Sequence, residues 1–325
     1  MTSAHDLRID MVAVHAVADR LARQEVAPEW DAALHYRATG LDADERTAMW
    51  LLVLDALNFC FWGQGADPSV RWRVEWKDEL TDGYMALVAA LMRGVEECQE
   101  LHSASWLATV KGEDVAHLLR PAEGHPEIPL FEARVHNLRE LGRGLLALDS
   151  ETPATALITL ANGSAVSLVR EVVRRFPSFK DIAIWTRTDT GLPGHEVRFY
   201  KRAQILVGDL AGGLAPSPLG QFHDLDKLTA FADYKVPQVL RQLGVLRYSD
   251  SLAGRITRRE HLLPGSADEI EIRAGTIWGC ELVRQALDER GRTVSAHELD
   301  WLLWTMGQSL PTESEPYHLT PTIFY

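Results

Sequence analysis

Basic charge is in short supply. The 325 residues hold 33 Lys and Arg against 46 Asp and Glu, a formal net charge of −13. A protein that grips duplex DNA or RNA without sequence preference normally presents a basic face, so no stable nucleic-acid complex is expected. A small local pocket for one phosphate is still compatible with that balance. Cysteine is scarcer still. Cys60, Cys98 and Cys280 are odd in number and far apart, which excludes a metal knuckle and fits a reduced, cytoplasmic protein. No run of 18 consecutive apolar residues occurs, so no membrane span is expected. "MTSAHDLRID" lacks a basic region followed by an apolar run, so no secretory signal is expected either. Repeats, low-complexity tracts and an obvious linker are all missing. One large domain over residues 1–325, acting as a monomer and needing no cofactor or metal, is the expectation.

What is present is ordinary globular composition, 46% hydrophobic and 24% charged, with ten tryptophans. Some of these rings belong in a core, and others would suit a pocket that grips a flat ring. Helical spacing runs through "DLRIDMVAVHAVADRLARQ" at 6–24, and through "LDADERTAMWLLVLDALNFCFWG" with its acidic first turn and Gly63 as a stop. "VRWRVEW" at 70–76 alternates like a strand. Thr81 and Ser103 are candidate caps for the two helices that follow. "GSAVSLVREVVRRFPSF" is amphipathic and should stop before Pro177. "IAIWTR" and "EVRFYKR" flank the turn-rich "TDTGLPGH" and read as a small hairpin. The total is roughly ten helices against three or four short strands, a mainly α fold with a small β element.

Several stretches invite a chemical reading beside a plain one. "GDLAGGL" at 208–214 lacks the spacing of a phosphate loop and is a helix end. "HELDWLLW" has no second His at metal spacing. "CELVRQ" has one thiol without a local partner, a buried cysteine rather than a nucleophile. On a helix, Asn58, Phe61 and Trp62 of "NFCFWG" would share one face while Phe59 points elsewhere. That face is either core or an aromatic wall with one amide. His35 in "ALHY" is a structural hydrogen bonder or a substrate contact. Asp300 sits between apolar neighbours with Trp304 at i+4, so burial is expected, and a buried carboxylate needs partners. Lys201 and Arg202 end the expected hairpin, either as solvated cations or as a phosphate clamp. In "FADYKVPQVLRQLGVLRYSDSL", Pro237 marks a first turn, so the helix should start at Val236 or Pro237 and run to Gly244. Asp233 lies just before it, where the helix dipole favours the anion. It is an ordinary cap or a carboxylate set to face a cation.

"LNFCFWG", "VRFYKRAQILVGD", "FADYKVPQVLRQLGVLRYSDSL", "IEIRAGTIWGCELVRQAL", "LDWLLW" and the terminal "TIFY" occur in that order. Together they closely resemble the queuosine salvage protein family, the queuosine 5′-phosphate N-glycosylases. The resemblance runs from about "ALHY" to the last residue, and the first 25 residues carry little of it. It implies a mostly helical fold related to the helix-hairpin-helix DNA glycosylases. It implies hydrolysis of queuosine 5′-monophosphate to queuine and ribose 5-phosphate, and substrate-contacting positions at His35, Phe231, Asp233, Asp300 and Trp301. Family members carry a further acid five residues after the match to Asp300; here that position is Thr305, which brings a hydroxyl and no charge.

Cleaving a ribosyl C–N bond builds oxocarbenium character at the sugar, which a carboxylate stabilises. Asp233 takes that role in this reading. The leaving base has carbon where a purine has N7, so protonation there is closed. Asp300 would hold the guanine-like edge by two hydrogen bonds. Phe231, Phe61, Trp62 and Trp301 would stack on the base, with Asn58, Thr305 and His35 as polar contacts. Lys201, Arg202 and Lys235 are the candidate phosphate ligands. Two rivals stand beside this reading. A DNA glycosylase would act on damaged duplexes. A non-catalytic nucleotide- or RNA-binding module would form a complex with the nucleotide and never release the base.

Overall fold

The computed structural model describes residues 6–23, 35–62, 70–186, 194–311 and 313–325. Gly63 and most of the "TDTGLPGH" stretch lie outside them. The described residues hold thirteen α-helices. In the first half these are α1 (Met11–Ala22), α2 (Ala43–Leu57), α3 (Gly83–Glu96), α4 (Ala104–Thr109), α5 (Gly112–Leu118), α6 (Phe131–Leu146), α7 (Pro153–Thr159) and α8 (Ala165–Arg175). Then come α9 (Lys201–Gly213), α10 (Lys235–Gln242), α11 (Asp250–Thr257), α12 (Ala267–Asp288) and α13 (Ala296–Gln308). Six short strands pair as three antiparallel ribbons: β1 (Leu7–Ile9) with β6 (Leu246–Tyr248), β2 (Arg73–Trp76) with β3 (Glu79–Asp82), and β4 (Ile182–Trp185) with β5 (His195–Arg198). The fold is mainly α, as expected.

Helix α2 is the central element. Thr47 to Leu57 are all buried, so "TAMWLLVLDAL" exposes no face, the pattern of a helix packed on every side. It packs on α9, α6 and α7 within one large apolar cluster. A second cluster joins α1, α10, α12 and α13 around Val236, Val239, Leu240 and Leu303. Helix α8 is built as expected: Leu168, Val169, Val172 and Val173 face inward, the helix ends at Arg175, and Ser164 caps its start.

Local departures from the expectations have local causes. Residues 6–24 do not form one helix. Leu7–Ile9 is drawn into the β1–β6 ribbon, and Asp10 caps α1 through the amides of Val12 and Ala13. Ser103 caps α4 through the Trp106 amide, but Thr81 belongs to β3 and caps nothing. Helix α2 ends at Leu57, so Asn58–Trp62 is not helical and Cys60 takes a left-handed φ of 43°. The face-sharing argument for Asn58, Phe61 and Trp62 therefore fails. Lys201 and Arg202 open α9 instead of closing a hairpin, with Tyr200 before them at φ 49°. Helix α10 starts at Lys235, slightly earlier than proline placement suggests.

Candidate active site

The stretch from Phe231 to Lys235, flanked by Ala230 and Val236 of the second apolar cluster, borders a cavity of about 320 Å³. Helix α9 supplies Lys201, Ile205 and Asp209 to its wall, spaced four residues apart on one face. Helix α13 supplies Asp300, Trp301, Trp304 and Thr305. His35, Asn58, Phe61 and Tyr84 close it from the side of α2 and α3.

Asp233 is buried, at 8% exposure. Its Oδ1 accepts the backbone N–H groups of Lys235 at 2.8 Å and Val236 at 2.9 Å. It therefore caps α10 with one oxygen, and its residue reaches the cavity wall. Burial pushes its carboxyl above the ordinary aspartate range, while Lys201 and the two amides pull it down. The expectation that a helix entrance holds this group low is corrected by desolvation, which outweighs the donors. Lys201 is also buried, and burial draws its ammonium below the ordinary lysine range against the attraction of Asp233, Asp55 and Asp300. It sits among three carboxyl groups, far from the solvated surface cation of the plain reading.

Asp300 is buried and its Oδ1 accepts the Phe231 N–H at 2.8 Å. That bond ties α13 to the loop that carries Asp233. Burial, compounded by Asp233, pushes the Asp300 carboxyl well above its usual range. Phe231 and Trp301 both line the cavity as flat rings. His35 contacts the Tyr84 hydroxyl through Nε2 at 2.6 Å. Lys235 lies at the wall with its Nζ 5.8 Å from the Tyr317 ring. Arg71 donates to the Tyr317 hydroxyl at 2.9 Å and also lines the cavity.

Two expected residues go elsewhere. Arg202 is buried, and its Nη1 donates to the carbonyls of Asp55 at 2.9 Å and Ala56 at 2.8 Å, while Nη2 donates to Ser178. A helix leaves its last carbonyls unsatisfied, and this guanidinium meets that need for α2. Arg134 does the same for Leu57 and also holds the carbonyls of Phe59 and Cys60 just beyond the helix. Arg202 is thus an anchor between α2 and α9, not a phosphate ligand facing the cavity. Trp62 is buried in a side cluster, its ring edge-on to His261 with 5.5 Å between centroids, and lies outside the cavity lining. Lys201, Lys235, His35, Asn58, Phe61, Phe231, Asp233, Asp300, Trp301 and Thr305 do converge on the one cavity.

The frame behind the site is ionic. Asp181 accepts the Lys201 backbone N–H at 3.3 Å and pairs with Arg273, both side chains almost fully buried. Arg273 also donates to the Ala232 carbonyl at 3.0 Å, next to Asp233, and to Glu269. Tyr325 donates to Glu269 at 2.9 Å, so the last residue joins the same frame. One guanidinium thus fixes both the start of α9 and the chain just before α10.

Sequence reasoning missed Asp55, Asp209, Tyr84 and Arg71. The first two carried a signal. Each is a single acid within an apolar helical run, "TAMWLLVLDAL" and "ILVGDLAGG", where an ionisable group is costly unless a partner or ligand meets it. A second, more open cavity of about 710 Å³ borders Gly208, His223, His297 and Trp301. Among the described residues no Lys, Arg or Asp lines it, and its Glu298 is engaged in the capping box with Ser295, so the charged chemistry belongs to the smaller cavity. Among the described residues no group of three or more His, Cys, Asp or Glu side chains is arranged to hold a metal ion. No helix of the described residues is long and apolar enough to cross a membrane.

A family model described as queuosine salvage protein matches residues 34–325. A relative from Sphaerobacter thermophilus, described as a queuosine 5′-phosphate N-glycosylase/hydrolase, is 48% identical over 98% of this chain and 92% of its own. Relatives with the same description from Nematostella vectensis and Bos taurus are 35% and 33% identical. They cover 87% and 99% of this chain, and 83% and 95% of their own.

Proposed function

Because the chain belongs to the queuosine salvage protein family, we propose that it hydrolyses queuosine 5′-monophosphate to queuine and ribose 5-phosphate. The observation that carries the reading is Asp233: a buried carboxyl on a cavity wall, backed by a buried ammonium and two amide N–H groups.

In the reaction the C1′–N9 bond breaks with its electron pair going to the base. Water delivers its oxygen to C1′ and a proton ends on the base. Positive charge grows on the sugar in between, and the Asp233 anion stabilises it. The N7 position of an ordinary purine is carbon in this base, so leaving-group help comes from other edges. Asp300 accepts from the guanine-like edge with the oxygen not used by Phe231. Phe231, Trp301 and Phe61 stack against the base. His35, held by Tyr84, takes a hydroxyl of the sugar or of the base's side ring. Asn58 and Thr305 add neutral hydrogen bonds. Lys235, with Arg71 beside it, meets the 5′-phosphate. Lys201 serves Asp233 more directly than the phosphate.

The helical fold with a carboxylate at a helix entrance supports kinship with the helix-hairpin-helix DNA glycosylases. One catalytic domain acting as a monomer is part of the same proposal, and a cytoplasmic location fits the three unbridged cysteines. The test is incubation with queuosine 5′-monophosphate and mass-spectrometric detection of queuine and ribose 5-phosphate in equal amounts. Stoichiometric binding without release of base would overturn hydrolysis and leave a binding module.

A further inference from the structure

The reaction engages one end of the cavity and leaves the other unexplained. Lys201 and Asp209 stand two turns apart on α9, about 12 Å along its axis. Ile205 lies between them on the same face. The wall thus runs from cationic, through apolar, to acidic.

The acidic end is a built feature. Asp55 is fully buried, and its Oδ1 accepts from the Asn58 amide at 3.2 Å. Its Oδ2 is buried with no hydrogen-bond partner among the described residues. Asp209 is the charged group that most compounds the burial of Asp55, against the pull of Lys201 and Arg202, and burial, with the two carboxyl groups adding to it, pushes the Tyr84 phenol up. Two neighbouring buried carboxyl groups do not both ionise easily. Asp209 stands on the cavity wall, and Asp55 lies behind it with one oxygen unpartnered among the described residues. Such a dyad matches a single cation carrying two N–H donors.

The substrate read above carries that group. Its base bears, at the carbon replacing N7, an aminomethyl arm whose nitrogen is a secondary alkylamine. Protonated, it has one positive charge and two N–H donors. With the ribose at Asp233 and the flat base between Phe231 and Trp301, the arm extends away from the bond that breaks. We propose that Asp209, backed by Asp55 and Asn58, binds the ammonium of this arm and so selects side-arm-bearing bases over plain guanine and 7-deazaguanine. The inference rests on the substrate reading and adds a specificity site to it. A base without the arm brings no cation to this acidic end and forgoes that contact, which is how polar sites discriminate against analogues.

The test compares three 5′-monophosphates: of queuosine, of 7-aminomethyl-7-deazaguanosine, which keeps the amine without the cyclopentene ring, and of 7-deazaguanosine, which has neither. For the wild-type protein the two amine-bearing nucleotides should be hydrolysed with kcat/KM values above that of the third by about a hundredfold or more. Asp209→Asn should shrink that gap below tenfold, mainly by slowing the amine-bearing substrates. Asp55→Asn, which leaves the cavity residue in place, should shrink it less. Hydrolysis of all three at equal rates by the wild-type protein would overturn this inference alone, with no variant needed. An unchanged gap in a folded Asp209→Asn protein would overturn it too. Hydrolysis of none of the three would overturn the substrate reading and this inference together.

Discussion

At one end of the cavity a buried aspartate meets an ammonium and two amide N–H groups; at the other a buried aspartate meets a second carboxyl. Asp233 and Asp55 are both desolvated, and desolvation raises both. What differs is the company. Lys201 opposes the rise at both, but the amides of Lys235 and Val236 add their pull at Asp233, whereas Asp209 adds to the rise at Asp55. The same side chain is thereby prepared for two tasks. Asp233 becomes an anion once the pH clears its raised titration point. Asp55 is held well above its usual range by burial and by Asp209, and Asp209 on the cavity wall answers to cations. Burial alone predicts neither; the donors and charges within reach divide the roles.

The comparison breaks most visibly at Asp233. Asp233→Asn keeps an oxygen that can accept the Lys235 and Val236 amides, so the start of α10 and the fold should survive. The charge opposing the oxocarbenium ion is gone. Turnover should drop about a hundred- to a thousandfold, the usual cost of one lost electrostatic stabiliser. Release of queuine at near wild-type rate by a variant of unchanged thermal stability would remove Asp233 from the chemistry.

A smaller loss should follow from Lys201→Met, which keeps the length and burial of the side chain. Lys201 is the strongest of the groups holding the Asp233 carboxyl down. Because Asp233 acts as the anion and its titration point is raised, activity should fall on the acid side at a pH above the ordinary aspartate range. Without Lys201 that acid limb should move to still higher pH. A pH–rate profile of kcat/KM that keeps its acid limb in the variant would separate Lys201 from Asp233.

Asp300 tests the base-holding side of the same end. Asp300→Ala removes an acceptor for the base and also strands the Phe231 N–H. The expected cost in substrate binding is about 1.5–3 kcal/mol. Asp300→Asn retains an acceptor for Phe231 and should separate the two effects. An unchanged KM in both variants would make Asp300 a purely structural tie between α13 and the Phe231 loop.

Most of this site was legible in the residues, for uneven reasons. Asp233 stood out as an acid before a proline-marked helix start, a place an ordinary cap also takes, and the family resemblance singled it out. Asp300 was visible as an acid between apolar neighbours, and it is buried as that pattern demands. Arg202 misled, because adjacency to Lys201 in sequence says nothing about direction: successive residues on a helix point about 100° apart. One therefore faces the cavity while the other faces the carbonyls of α2. Trp62 misled because its placement assumed that α2 continues, whereas the helix stops at Leu57. The acidic floor was hidden for a different reason. Asp55 and Asp209 lie 154 positions apart, and only the packing of α2 on α9 brings them together. Arg71 and Arg273 were invisible for the same cause, since their partners Tyr317 and Asp181 are remote in sequence.

The smallest expected effect sharpens the contrast between anion-binding and cation-binding ends. Lys201, first read as a phosphate ligand, is occupied with carboxyl groups, so the phosphate falls to cations nearer the Tyr317 side. Lys235 is half-buried and burial draws its ammonium down against the pull of Asp233, and Arg71 stands across Tyr317 from it. A phosphate held there, on the Tyr317 side of the cavity, would fix the ribose over Asp233. Binding energy from such a remote group can raise the rate at the bond that breaks. The 5′-monophosphate should then be hydrolysed faster than the plain nucleoside. Lys235→Ala should narrow that difference by about five- to tenfold and not more, because Arg71 remains to share the charge. The nucleoside never used the phosphate contact, so its own rate should hardly change. The amine preference at Asp209 should also be untouched, because the two ends bind different parts of one molecule. Equal wild-type rates on nucleotide and nucleoside would take the phosphate away from Lys235 and Arg71, and a Lys235→Ala loss shared equally by both substrates would assign Lys235 to Asp233 instead.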